Sequence, residues 1–485
     1  MATPHSEERK PEHTEHGSGA VLFVLVIGTF LAPLDSSIVN IALPSIASQF
    51  GERLTAVSWV ASAYLLASSA LLLTMGRLGD LWGLRKLYVS GLLSFGLGSL
   101  ACAFSGSLKM LIAARVFQAI GAAMLFAAGP ALVVKTFPAN RRGWALGYVA
   151  LAVSAGLTVG PALGGLLVGA FGWPSIFLIN VPLAVIVAAF AWRLLRDDPL
   201  PGEPFDILGA LLAAATLLLL LLGLGDADRS GILSWQVIGP VVASLLAGAL
   251  FVWWESRAAA PMVDLSLFSS RAFSAGLGAA TLAYLSLFAV TFTMPFYLLR
   301  VQGLDAEAAG LLLTLTPLAM AAIAPTAGRL SDRHGSRGLA TTGVAVLAVG
   351  LLGASFLTTT SPLWAVGVTL LIIGSGMAIF QTPNTSAVMR STPRARAGVG
   401  SAFIAEARNV GMVIGIAITA AIVGGSVGGT GLPNGEGRLE AGIATLFSAG
   451  MSNALRVAAV VAAAAAVLSW FGRPADAVES ESAKP

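Results

Sequence analysis

The chain has 485 residues, 56% of them hydrophobic and only 11% charged, where an ordinary soluble domain carries roughly 25% charged residues. With a mean hydropathy of +0.85 and whole windows that lack any charge to face water, a water-soluble fold is excluded and lipid must be the solvent. The net charge of +4 comes from cations scattered between apolar blocks, not gathered on one face beside aromatics, so no nucleic-acid partner is indicated.

The first nineteen residues, MATPHSEERKPEHTEHGSG, lack the apolar stretch and small-residue cleavage site of a secretory signal, and residues 1–19 are expected to be a disordered cytoplasmic tail. Apolar runs long enough to cross a bilayer then predict six helices near 20–43, 56–75, 87–105, 108–132, 144–170 and 174–192. Two more follow near 206–225 and 235–254, and six near 272–299, 308–327, 339–358, 363–385, 399–424 and 454–471. The expected organisation is an N-terminal six-helix bundle (20–196), a connector with two inserted helices (197–255), a C-terminal six-helix bundle (256–472) and a cytoplasmic tail (473–485). The proline-rich RDDPLPGEPF, Arg196 to Phe205, leads into the insertion.

Sixteen loop cations fall on one side: Arg77, Arg85, Lys86, Lys135, Arg141, Arg142, Arg193, Arg196, Arg257, Arg271, Arg329, Arg333, Arg337, Arg390, Arg394 and Arg396. Six fall on the other: Arg53, Lys109, Arg229, Arg300, Arg438 and Arg456. Cationic loops are retained in the cytoplasm, so both termini are expected there and the chain in the cytoplasmic membrane. Cys102 is the only cysteine, and the histidines His5, His13, His16 and His334 form no ligand-spaced cluster. Neither a metal nor another cofactor is expected.

An internal repeat organises the chain. GRLGDLWGLRK (Gly76 to Lys86) after helix 2 matches GRLSDRHGSR (Gly328 to Arg337) after helix 10. Pro138, Arg141 and Gly143 after helix 4 match Pro393, Arg396 and Gly398 after helix 12, and Gly121 and Met124 match Gly374 and Met377. Two six-helix halves of one topology with an inserted pair account for this.

These motifs resemble those of the major facilitator superfamily, and within it the fourteen-helix drug:proton antiporters. GRLGDLWGLRK is similar to the superfamily motif G-x-L-x-D-x-x-G-x-[RK]-[RK], with Leu81 where a basic residue is usual; the second copy keeps it as Arg333. Asp35 in PLDSSIVNIALPSI resembles the helix 1 signature of that group, and Arg115 in RVFQAIGAAM its helix 4 motif. GLTVGPALGG (Gly156 to Gly165) resembles the helix 5 antiporter motif, and GVGSAFIAEARNVG (Gly398 to Gly411) the helix 13 segment. The likeness runs from about residue 20 to 470. It implies an all-α membrane protein of fourteen helices, alternating access, and export against proton entry.

Charges inside membrane helices cost about 2.5–3.5 kcal/mol each at a helix centre and are functional by default. Asp35, Arg115, Glu406 and Arg408 are the clear cases. Asp35 and Arg115 lie at one depth, about 10–12 Å from the outer surface at about 1.5 Å per residue, so they can pair. Asp35 is then a candidate proton site, with burial favouring the neutral acid and Arg115 the carboxylate; the rival reading is a fixed structural pair. Glu406 and Arg408, two apart on a helix, must find different partners. Arg408 suits a structural or gating role, while Glu406 is either a second proton or cation site or a group satisfied by backbone or by Asn409.

Gly156, Gly160 and Gly164 form a small-residue stripe for close helix approach, with Pro161 and Gly165 in register. In the two gating motifs, Gly76, Asp80, Gly83 and Arg85 in the first and Gly328, Asp332, Arg333, Gly335 and Arg337 in the second, each aspartate can hold a neighbouring helix N-terminus or a basic side chain when its face closes. The basic residues could equally serve as retention charges alone. Aromatics such as Tyr64, Phe126 and Phe177 could line a pocket or simply pack. No nucleotide-binding or catalytic constellation is present, so no enzymatic activity is expected. The expected function is proton-coupled export of lipophilic, cationic drugs or antibiotics by a monomer whose partners are the small-molecule substrate, protons and the bilayer. Rival readings are a dedicated exporter of one metabolite and a non-transporting membrane sensor.

Overall fold

The computed structural model describes residues 15–52, 54–57, 59–196, 204–225, 234–258, 261–304, 306–427 and 438–472. Fourteen long helices follow one another: α1 (Glu15–Phe50), α2 (Trp59–Trp82), α3 (Leu84–Ala103), α4 (Leu108–Thr136), α5 (Arg142–Phe171), α6 (Asn180–Leu194), α7 (Ile207–Gly225), α8 (Trp235–Glu255), α9 (Arg271–Phe296), α10 (Leu315–His334), α11 (Ser336–Ala354), α12 (Leu363–Ser391), α13 (Ala397–Ser426) and α14 (Ala441–Phe471). Thirteen are long and apolar enough to cross a membrane, and α7 is an apolar helix of 19 residues. Helices prevail because a segment in hydrocarbon must satisfy its backbone polar groups internally.

Several helices outrun their apolar stretches. The segment Gly76–Asp80 is helical, and so is the chain from Gly328 to His334, so each repeated motif starts in the last turns of α2 or α10, bends at Gly83 or Gly335, and ends in the first turn of α3 or α11, with almost no loop. Hydropathy fades where polar side chains reach the interface, but backbone hydrogen bonding continues the helix. α1 likewise starts at Glu15, taking in five residues of the expected tail. α14 starts at Ala441, thirteen residues before the expected 454, which moves Arg456 from a loop into the helix. Ser452 Oγ donates to the Ser355 carbonyl just beyond the end of α11. Arg456 therefore sits about one turn inside that end, near enough for its exposed side chain to reach the interface. Helix 10 is preceded by a separate segment, Ala306–Leu313.

Of the expected connector, residues 197–203 lie outside the described residues, as do both chain ends, Arg53 and Arg229.

The halves α1–α6 and α9–α14 meet along two seams, α2 against α13 and α5 against α10, with α4 and α12 inside. α7 packs on both α2 and α13, so the inserted pair covers the first seam. α8 lies outermost, with 11% of its span buried against 67% for α1 and α4. The end of the bundle that carries Arg85, Lys135, Arg141, Arg329 and Arg333 is called the basic face below.

The packing also corrects the register of the repeat. Gly121 approaches Gly91 and Phe95 of α3, and Gly376, not Gly374, makes the same approach to Gly343 and Leu347 of α11. An offset of 252 relates Gly91 to Gly343, and 255 relates Gly121 to Gly376 and Gly143 to Gly398. The stretch between the matched glycines is thus three residues longer in the second half.

Candidate functional site

Deep inside the first half, Asp35 of α1 is fully buried at the centre of a polar network. Its carboxylate accepts from Arg115 Nη1 (2.5 Å), Gln118 Nε2 (2.9 Å) and Asn180 Nδ2 (2.9 Å). Gln118 also donates to Ser99 Oγ (2.7 Å) and accepts from Arg115, while Arg115 Nε donates to the Val60 carbonyl (3.0 Å). Arg115 and Gln118 sit one turn apart on α4 and present adjacent side chains. The ring of Tyr64 covers the Arg115 guanidinium at 4.1 Å and that of Phe177 at 5.7 Å. Tyr64 and Phe177 therefore pack on the network, and neither lines the cavity between the halves. Helices α1, α2, α3, α4 and α6 all contribute, so the network ties the bundle together and a change at Asp35 reaches five helices.

Equal depth was enough to suggest Asp35 opposite Arg115. Gln118, Asn180 and Ser99 were missed because an uncharged amide in an apolar run raises no alarm; Gln118, one turn after Arg115, was the signal available.

At the basic face the halves grip each other twice. Asp80, fully buried at the end of α2, accepts from the backbone N–H of Gly398 (2.8 Å) and Val399 (3.1 Å) at the start of α13. Asp332, near the end of α10, accepts from the N–H of Gly143 (2.9 Å) and Trp144 (2.9 Å) at the start of α5. Each aspartate thus caps an N-terminus of the opposite half, where the first amides lack intrahelical partners and the dipole favours an anion. Gly76 lies against Gly398 and Gly328 against Gly143 so closely that a Cβ on either partner would overlap the other's backbone.

Gly83 and Gly335 turn the corners into α3 and α11 with φ of 107° and 82°, values open to glycine but strained for other residues. Beyond each corner a basic side chain stacks on a tryptophan at the end of the sixth helix of its own half, Arg85 on Trp192 (4.5 Å) and Arg337 on Trp470 (4.0 Å). Arg337 also donates to the Trp470 carbonyl (2.7 Å). Arg333 is exposed beside Asp332 at the mouth of a surface groove.

The glycine stripe of α5 runs along α1. Gly156 packs on Phe30, Pro33 and Leu34, Gly160 on Ser37, and Gly164 on Ile38, so the stripe brackets Asp35. Ser37 Oγ donates to the Leu157 carbonyl (3.0 Å). Gly165 points to open space, and the Pro161 side chain lies outside the described residues.

Between the halves, just inside the gripped face, is a cavity of about 60 Å³, room for a few waters. α4 and α5 give it an apolar wall, and α12 and α13 a polar one that includes Gln381, Thr382, Thr385, Ser401 and Arg408. The Arg408 guanidinium lies 4.9 Å from the Phe126 ring. Glu406 turns away from this cavity; it is buried, and neither carboxyl oxygen has a hydrogen-bond partner among the described residues. Asn409 donates instead to Ser69 Oγ (2.6 Å), across the seam. Glu406 therefore makes no hydrogen bond or ion pair with Arg408 or Asn409 among the described residues, although its charge lies close enough to feel that of Arg408. No group of three or more potential metal ligands exists among the described residues.

The profile of the Major Facilitator Superfamily matches residues 25–416. The riboflavin transporter RibZ of Clostridioides difficile is 37% identical over 399 residues, covering 82% of this chain and 86% of its own length. The multidrug resistance protein Stp of Mycobacterium tuberculosis is 32% identical over 400 residues, covering 82% and 74%. Among solved structures, the proton:xylose symporter XylE superposes with a TM-score of 0.64 at 14% identity, covering 94% of this chain and 96% of the other.

Proposed function

The chain belongs to the major facilitator superfamily of transporters, and from that premise we propose that it is a proton-coupled antiporter exporting lipophilic small molecules, drugs or antibiotics, by alternating access. The observation that carries this reading is Asp35: an acid fully buried within the bundle, held by three donors whose partners would all be disturbed by one proton. The likeness to a multidrug resistance protein supports the drug side. A bacterial cytoplasmic membrane, with the basic face and both termini in the cytoplasm, agrees with the loop charges.

The geometry supplies a route for coupling. A proton on Asp35 removes the charge that holds Arg115, Gln118 and Asn180, and frees α1 to shift against them. Gly156, Gly160 and Gly164 lie on α1 at the turns flanking Asp35, so the shift passes to α5. The N-terminus of α5 is the one gripped by Asp332 of the other half. Coupling can therefore travel from the acid to the gate through directly packed elements. Glu406, buried without a partner, would need a proton or a cation for its own charge and is the second-half candidate for the cycle.

The test is purified protein in proteoliposomes under an imposed pH gradient, offered dyes and antibiotics, with Asp35→Asn as control. Gradient-driven flux in the parent and its loss in folded Asp35→Asn are expected; equal flux in both would sink the coupling role. A dedicated carrier of one metabolite is the second reading, favoured by the likeness to a riboflavin transporter, and a substrate panel separates the two.

A further inference from the structure

We propose that the cavity between the halves is a recognition site for planar aromatic molecules with oxygen acceptors along one edge, neutral or anionic, and that Arg408 is its specificity residue. The proposal rests on the transporter reading and names the substrate class of that site.

Charge is the first argument. Arg408 is the only side chain with a formal charge in the cavity lining, and its sole contact of note among the described residues is the Phe126 ring, with no hydrogen bond or ion pair. A guanidinium inside a membrane bundle with five donors and no acceptor is incomplete. Of the nearest acids, Asp35 is held by Arg115, Gln118 and Asn180, while Glu406, close enough for its charge to feel Arg408, makes no ion pair with it and lies outside the cavity lining. A cationic ligand would therefore meet a like charge, with no carboxylate among the lining residues. This departs from the cationic substrate suggested by the family resemblance.

The distribution of polarity is the second. Thr382 Oγ1 is buried with no partner and lines the cavity. Gln381 and Thr385, on the same face of α12, likewise make no hydrogen bond among the described residues. Together with Arg408 they form a row of unused polar groups on the second half. Opposite them the first half offers a mainly apolar surface, including Pro130, Leu146, Val149 and Val153, where the hydroxyl of Thr29 is spent on the Leu25 carbonyl, with Phe126 at the junction beneath the guanidinium. A flat ring fits that arrangement with its face on the apolar wall and Phe126 and its acceptor edge toward Arg408, Gln381 and Thr382. In the conformation seen here, with the basic face gripped shut, the space is too small for such a ring. Parting of the halves separates the two walls and makes room for the ring.

The experiment measures equilibrium binding to the purified full-length protein by fluorescence, with three flat probes of similar size: fluorescein (anionic), riboflavin (neutral, acceptor-edged) and ethidium (cationic). Fluorescein and riboflavin are expected to bind at least about tenfold tighter than ethidium. Because hydrogen bonds to a charged donor are lost, Arg408→Gln should weaken both about ten- to a hundredfold while leaving ethidium unchanged or improved. Arg408→Lys, which keeps the charge and loses the fork, controls for folding and should retain fluorescein better than riboflavin. Tighter binding of ethidium than of the other two, indifference of both acceptor-edged probes to Arg408→Gln, or no binding of either up to millimolar concentration would overturn the site. Flux under a pH gradient is read separately. Selective binding without flux of any probe defeats the transporter reading and leaves the site standing. Gradient-driven flux of ethidium alone does the reverse.

Discussion

Replacing Asp80 by asparagine removes a charge and one of two acceptors from the amides of Gly398 and Val399 while keeping the side chain's size. The hydrogen bond is worth about 0.5–1.5 kcal/mol, and the anion at the helix terminus about 0.3–1 kcal/mol when exposed, up to ~2 when partly buried. Asp80 is fully buried, so the larger values apply, and closure of the basic face should weaken by about 1–3 kcal/mol, a five- to 150-fold shift toward the open state. Asp332 is only half-buried, so solvent screens it and Asp332→Asn should fall at the low end. The two grips share no residue, so their effects should add. Spin labels at Asn140 and Arg333, both at the rim of one surface groove between the halves, report opening as a long distance in double electron–electron resonance; Cys102, the sole native thiol, is buried and does not compete. Asp80→Asn acts on the opposite seam, so a longer distance at the labelled seam also tests whether the halves move as rigid bodies. An unchanged short-distance population in the double variant would refute the grip as a gate.

Gly398→Ala and Gly328→Ala each place a methyl where the other half's backbone passes, so both should hold the basic face open and slow exchange while barely changing thermal stability; the same spin-label pair and a flux assay check this. Gly160→Leu drives a side chain into Ser37 of α1 and should abolish transport even where the protein still inserts and purifies as a single species. Asp206 accepts from Trp254 Nε1 (2.9 Å) and from the Gly209 N–H (2.8 Å), tying α7 to α8. Asp206→Ala should lower the melting temperature read by a thiol-reactive dye at Cys102, with loss of roughly 1–2 kcal/mol, and should leave binding in the central cavity unaltered.

Hydropathy and loop charge made the helices, the insertion and the two halves legible, because lipid forces long uninterrupted runs and the repeat survives at the corners, where Gly83 and Gly335 need positive φ. The pairing of Asp35 with Arg115 was legible for a similar reason: charges in lipid are costly, so two at one depth attract attention. What escaped was whatever carries no cost in the sequence. Asn180 and Gln118 are ordinary polar residues until the fold surrounds Asp35 with them. Trp192 and Trp470 look like interface anchors until Arg85 and Arg337 stack on them. The role of Tyr64 depends on a distance of 4.1 Å to Arg115 that no periodicity encodes.

The two halves share their aspartate grips but not the charges at their centres. At the offsets fixed by the glycine contacts, Ser99, Arg115 and Gln118 correspond to Leu351, Leu370 and Ile373, all buried. A polar network in one half thus faces a close-packed apolar core at the same place in the other, and the proposed proton site has no counterpart there. The polar wall of the central cavity, in contrast, belongs to the second half. The insertion adds a further asymmetry, since Arg77 is fully buried at the seam that α7 covers while its repeat partner Arg329 is exposed at the other. The charges of Arg77 and of Glu255, at the end of α8, lie near enough to attract. The covered seam is therefore held from a third side, whereas neither inserted helix packs comparably on α5 or α10 at the other.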